Sequence, residues 1–110
     1  IPLKVDVLRD RAMLYREADD ERIENAFTLR VMNTDEAAHH YEVTVEGIDG
    51  IRLVDEPGFD VPAVTTKSIL MKASVEDGKG KKGANPIVFE IRARDSDAIA
   101  VREKATFFMP

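Results

Sequence analysis

Apolar and polar residues alternate along most of this chain with a period of two. Phe27, Leu29 and Val31 interleave with Thr28, Arg30 and Met32, and Tyr41, Val43 and Val45 interleave with His40, Glu42, Thr44 and Glu46. The same rhythm carries Ile69, Met71, Ala73 and Val75, then Ile87, Phe89, Ile91 and Ala93, and, at the start, Leu3, Val5 and Val7. A period of two places alternate side chains on opposite faces of an extended chain, so each run predicts a strand with one buried face. Near the C-terminus, Ile99, Val101, Ala105 and Phe107 share a face with Glu103. Burying that carboxylate is unfavourable, and a bulge near Arg102 to Lys104 is expected to turn it outward.

Turn chemistry separates the runs. Asp49-Gly50, Glu56-Pro57-Gly58, Asp77-Gly78, Gly80, Gly83 and Asn85-Pro86 supply left-handed or fixed backbone angles suited to tight connections. The only rival helical segment is Ala12 to Phe27, whose residues Arg16 to Arg22 are polar apart from Ala18, and that gap predicts a hairpin loop instead. Seven to nine strands with no helical stripe between them predict an all-β, Ig-like antiparallel sandwich forming one domain over residues 1–110. Without cysteine or tryptophan the chain has neither the inter-sheet disulfide nor its packing indole. Phe27, Phe89 and Phe107 are the expected large pieces of an apolar core.

Charge narrows the classes of partner. Sixteen Lys and Arg against twenty-one Asp and Glu give a formal charge of -5, which argues against nucleic acid, whose binding needs a basic stripe. No unbroken apolar run exceeds four residues, against ~20 for a membrane-spanning helix. The chain opens at Ile1 with no leader-like segment, so it is expected to be a piece of a longer protein.

Candidate chemistry is sparse. His39 and His40 are the two imidazoles and the candidate metal ligands, but neighbours on a strand face opposite ways and do not chelate one ion. Met32 and Met109 are soft donors that would suit Cu(I) beside them. Asp19-Asp20-Glu21 lacks the alternating ligands of a calcium loop and reads as a solvated hairpin tip. Asp95 and Asp97 read as turn caps rather than a glycosidase pair. The Asp77 to Gly83 stretch misses the phosphate-loop pattern and reads as a strand connection, with a basic docking spot as the alternative. Ser68, Ser74 and Ser96 have no nucleophile elbow around them, so no catalytic residue is expected. Arg9, Asp10 and Arg11 are the candidate interaction residues, with their charges expected to pair with Glu17, Asp19 or Glu24 across a turn.

The blocks Pro2 to Arg11, Leu14-Tyr15-Arg16, Ile23 to Leu29, Val31-Met32-Asn33, Tyr41 to Gly47 and Phe107 to Pro110 together resemble the C-terminal domain of the FixG/CcoG family, the cytochrome c oxidase accessory proteins. Phe27 stands where that family often carries Tyr, and the Asp77 to Gly83 loop matches no family pattern. The resemblance implies an Ig-like domain ending a membrane protein whose upstream ferredoxin-like portion binds two [4Fe–4S] clusters. It further implies placement on the periplasmic face of the bacterial inner membrane and a part in assembling cbb-type oxidases through copper reduction. The cluster cysteines have no counterpart here, so no cofactor is expected in this domain.

On that basis the expected partners are the parent's membrane and ferredoxin-like portion, cbb-type oxidase subunits or a copper chaperone. Two alternatives stay open: a domain that itself receives copper through His39, His40 and a methionine, and a stand-alone carbohydrate or adhesin-type binding module.

Overall fold

Nine antiparallel strands and no helix make up the chain in a computed structural model that describes residues 1–110. They are β1 (Leu3–Arg9), β2 (Arg16–Glu17), β3 (Ile23–Asn33), β4 (His39–Glu46), β5 (Arg52–Leu53), β6 (Gly58–Val61), β7 (Thr65–Val75), β8 (Gly83–Ala93) and β9 (Ser96–Met109). One sheet has the order β1-β3-β7-β5, with β2 also paired to β3, and the second has the order β6-β4-β8-β9. The two inner faces enclose one core of 19 buried apolar residues. Its centre is Phe27 of β3 against Phe89 of β8, ring centroids 5.1 Å apart and edge to face at 71°, an arrangement the ring quadrupoles favour.

Every inward set expected from the alternation lies on the inner faces: Leu3 and Val5, Phe27 to Val31, Tyr41 and Val43, Met71 to Val75, and Ile87 to Ala93 are buried at their alternate positions. The polar gap after Arg16 is a hairpin, in which β2 pairs Arg16 with Glu24 and Glu17 with Ile23.

Two local expectations are corrected. Asn85-Pro86 lies inside β8 rather than in a turn. The Asn85 side chain closes the preceding connection instead, accepting from Lys81 N at 2.9 Å and donating to the Lys81 and Gly83 carbonyls at 2.7 and 3.1 Å. The register irregularity between β8 and β9 falls at Arg92/Ala93, and Arg102 to Lys104 pair regularly with Glu90 to Val88. Glu103 therefore stays on the inner side of β9, opposite Phe89 and half-buried. Strand β9 is an edge, where the carboxylate still reaches water, and an inward charge there discourages another strand from pairing with it.

Glycine is required at the end of β4. Gly47 has φ +128°, and a Cβ there would lie 2.6 Å from the Pro86 carbonyl oxygen and 2.8 Å from Ile87 Cα.

Two buried asparagines at the ends of β3 tie the sheets together. Asn25 donates to the Phe108 carbonyl at 3.0 Å and accepts from the Phe108 N–H at 2.8 Å. Asn33 donates toward the Ala37, Val61 and Pro62 carbonyls at 3.0, 3.3 and 3.1 Å and accepts from Asp35 N at 3.0 Å.

Candidate functional site

The strand directions gather the β3–β4 connection, the β6–β7 connection and the β8–β9 turn at the same end of the sandwich as Ile1. His39 opens β4 there and points inward, 7% exposed. Its Nε2 lies 2.7 Å from Asp35 Oδ2 and its Nδ1 lies 3.1 Å from Asp95 Oδ1. One ring thus joins the β3–β4 connection to the β8–β9 turn, with His39 and Asp95 56 residues apart in sequence. The Asp35 hydrogen bond and then the Asp95 one push the His39 pKa up against the opposing effect of burial, and the His39 hydrogen bond holds the Asp35 carboxyl below its usual range. Only the imidazolium donates from both nitrogens, so the geometry selects the charged ring.

Beside it, the Tyr41 ring packs 5.8 Å from the imidazole. Tyr41 is fully buried and its hydroxyl has no hydrogen-bond partner in the protein. Burial, followed by the nearby Asp35 and Asp95 charges, pushes its pKa up. The end is also strained: Val64, in the β6–β7 connection, holds φ +50° while its N–H donates to the Asp35 carbonyl at 3.0 Å.

His40 faces the other way, as adjacent strand residues must. Its Nδ1 is 2.8 Å from Asp60 Oδ1, and its Nε2 is 2.8 Å from an Arg94 guanidinium nitrogen and 3.1 Å from Glu42 Oε1. Arg94, then His40, hold the Glu42 carboxyl below its usual range. All four ring nitrogens of the two histidines are thus occupied by neighbouring side chains. The methionines stand elsewhere: Met32 lies on the outer face of β3, paired with Lys4 and Thr66, and Met109 lies at the far end of β9. No three His, Asp or Glu side chains are grouped so as to hold a metal ion.

The Arg9-Asp10-Arg11 block is at the opposite end from Ile1. Eight residues of extended chain separate Arg9 from it by about 26 Å, so these charges do not lie beside the entry of the chain. The expected pairing with Glu17, Asp19 or Glu24 is corrected as well. Arg9 lays its guanidinium 4.2 Å from the centroid of the Phe108 ring and reaches the Leu14 carbonyl at 3.4 Å, while its buried Nε has no partner. Asp10 accepts from Ala12 N at 2.9 Å, shaping the turn, and Arg11 is exposed without an ion pair. Glu24 belongs to Arg16, at 3.0 Å.

The turn that Asp10 shapes carries a feature not expected from the sequence. Met13, Leu14 and Tyr15 are consecutive and 53%, 53% and 40% exposed. Met13 and Tyr15, together with the outer face of β3 and β7, border a cleft of about 170 Å³ whose remaining lining is Asp10, Arg16, Glu24, Ala26 and Lys72. Next to it, Leu8, Thr28 and Leu70 form a row across three strands, with Leu8 and Leu70 exposed. The available signal was an unbroken apolar run, Ala12 to Tyr15, entering a segment read as a loop, where such runs are out of place.

The two outer faces differ in kind. Seven of the twelve ion pairs lie on the outer face of the β6-β4-β8-β9 sheet, linking Asp60, His40, Glu42 and Arg94, then Glu46, Arg102, Glu90, Arg92 and Asp97. The outer face of the other sheet, around β1, β3 and β7, has Arg16–Glu24 beside its exposed apolar residues, and no ion pair for Lys4, Arg30 or Lys72.

Comparison with known proteins agrees with the fold. A FixG-related protein from Vibrio parahaemolyticus, known from its crystal structure, superimposes with a TM-score of 0.86 over 98% of this chain and 96% of that one, at 19% identity. No curated protein matches the sequence. The family model described as "IG-like fold at C-terminal of FixG, putative oxidoreductase" matches residues 1–110. The chain therefore belongs to the family of Ig-like domains that stand at the C-terminus of FixG.

Proposed function

We propose that this domain is a non-catalytic interaction module of a FixG-type membrane iron–sulfur protein, standing on the periplasmic side of the inner membrane. In this reading the upstream [4Fe–4S] portion reduces copper for a cbb-type oxidase. The domain contributes a surface that meets the parent's own membrane portion, an oxidase subunit or a copper chaperone. One observation carries the proposal: one outer face is closed off by ion pairs, whereas the other exposes Leu8, Met13, Leu14, Tyr15 and Leu70. Contiguous exposed apolar side chains mark contact surfaces in folded proteins. Family membership supplies the parent to which the surface belongs.

The test is made in the full-length protein. Leu14→Asp with Leu70→Asp should reduce oxidase maturation in membranes while the isolated domain keeps its Tm, because both side chains already face water. Normal maturation with the doubly substituted protein overturns the proposal. His39→Ala with His40→Ala, followed by copper titration, addresses the copper-receiving alternative. An unchanged affinity removes it.

A further inference from the structure

Resting on the interaction reading above, we infer that the cleft between the Asp10 to Arg16 turn and the outer face of β3 and β7 receives one large apolar side chain of a partner protein, flanked in that partner's sequence by a carboxylate. Size sets the first half of this. The cleft measures about 170 Å³, and a cavity of about 150 Å³ accommodates benzene, so the space suits one aromatic or large aliphatic group. Met13, Tyr15 and Ala26 supply its apolar walls. Ala26 opens the floor, being the small residue between Glu24 and Thr28 on the outward side of β3 and paired with Lys72 on β7.

Charge sets the second half. Of the four charged groups lining the cleft, Glu24 is engaged by Arg16 at 3.0 Å and Asp10 holds Ala12 N at 2.9 Å. Lys72 forms no ion pair, although its backbone is fixed on both sides, by Asp55 to its N–H at 2.6 Å and by Val54 N to its carbonyl at 2.9 Å. An ammonium held at the rim of an apolar recess, with no internal partner, is complementary to a carboxylate next to the inserted side chain. The lining balances Asp10 and Glu24 against Arg16 and Lys72, and because both carboxylates and Arg16 are already engaged, Lys72 is the cation left to attract an acidic segment to this face.

The experiment selects peptides from a random twelve-residue display library on the immobilised 110-residue chain and titrates the winners into the isotopically labelled chain by NMR. Enriched peptides should carry a large apolar residue with Asp or Glu within two positions, and should shift the amides of Tyr15, Ala26 and Lys72. Lys72→Glu should weaken binding by about tenfold or more, and Ala26→Leu, which fills the recess without changing charge, should abolish it.

The inference is overturned by a selection that yields no binders or binders without acidic residues, and by binding that both variants leave unchanged. It is overturned equally by a different occupant of the face, read as co-sedimentation with phosphatidylglycerol vesicles, or as self-association in sedimentation velocity, that Ala26→Leu removes. In the full-length protein, loss of oxidase maturation with Leu14→Asp and Leu70→Asp but not with Lys72→Glu or Ala26→Leu refutes the cleft and leaves the interaction module standing. Normal maturation with all four removes both.

Discussion

Replacing Asn25 tests whether the sandwich is held by a polar clamp as well as by its apolar core. Asn25 is 2% exposed and makes two hydrogen bonds to the backbone of Phe108, 83 residues away on the other sheet. Asn25→Ala removes both. Each such bond contributes about 1 kcal/mol net, and an orphaned backbone group that water cannot reach costs about 1–3 kcal/mol more. Phe108 is half-buried at the end of β9, so water replaces part of what is lost, and the expected cost is about 2 kcal/mol.

For a chain of this size that lowers Tm by about 8 °C, measured by circular dichroism and by urea titration with an unchanged m-value. Asn25→Asp sharpens the test through its pH dependence. The carboxylate would face the Phe108 carbonyl, and only the protonated acid can donate to it. The folded-state pKa of that acid is then raised, so its contribution is complete below the unfolded value of about 3.9 and is lost as pH rises from there through the raised folded value. A Tm for Asn25→Ala within 2 °C of the parent, or an Asn25→Asp variant relatively less stable at pH 4 than at pH 7, refutes the clamp.

Three further outcomes are expected. His39 has a raised pKa, so its contribution is complete below the unfolded value of about 6.5 and fades as pH rises through the folded one, while the Asp35 contribution is present above the unfolded carboxylate value and fades in acid. The Tm gap between the parent and His39→Gln should therefore be wider at pH 6 than at pH 8.5, and a constant gap contradicts the bridge. Tyr41→Phe deletes a buried hydroxyl with no protein partner and should raise Tm by a few degrees; a fall would reveal an ordered water on that oxygen. Gly47→Ala drives a Cβ into the Pro86 carbonyl at a positive φ, and should lower Tm by more than Asn25→Ala does, since the obstruction is backbone.

How much of this was legible beforehand follows from range. Alternation is a local property: Phe27-Thr28-Leu29-Arg30-Val31 announces its buried face whatever it pairs with, and the inner faces of β1, β3, β4, β7 and β8 follow from it. Strands β5 and β6, of two and four residues, are too short to show a period and exist only because β7 and β4 offer them an edge. The inward position of Glu103 was readable, but its tolerance depends on β9 being an edge, which no local pattern states.

The sites depend on strand order still more strongly. The sequence by itself determined an all-β chain with paired faces, no cysteine chemistry and two histidines directed to opposite sides. Only the tertiary structure decided that His39 would meet Asp95 across 56 residues, that Asn25 would meet Phe108 across 83, and that Arg9 would stack on Phe108 rather than pair with an acid. It also decided that one outer face would engage most of its charges in ion pairs while the other kept Lys72 unpaired beside exposed Met13 and Tyr15. The physical reason is that burial needs only the right side of a strand, whereas a polar contact needs a particular atom within about 3 Å. That position is set by which strands lie side by side and where their registers begin.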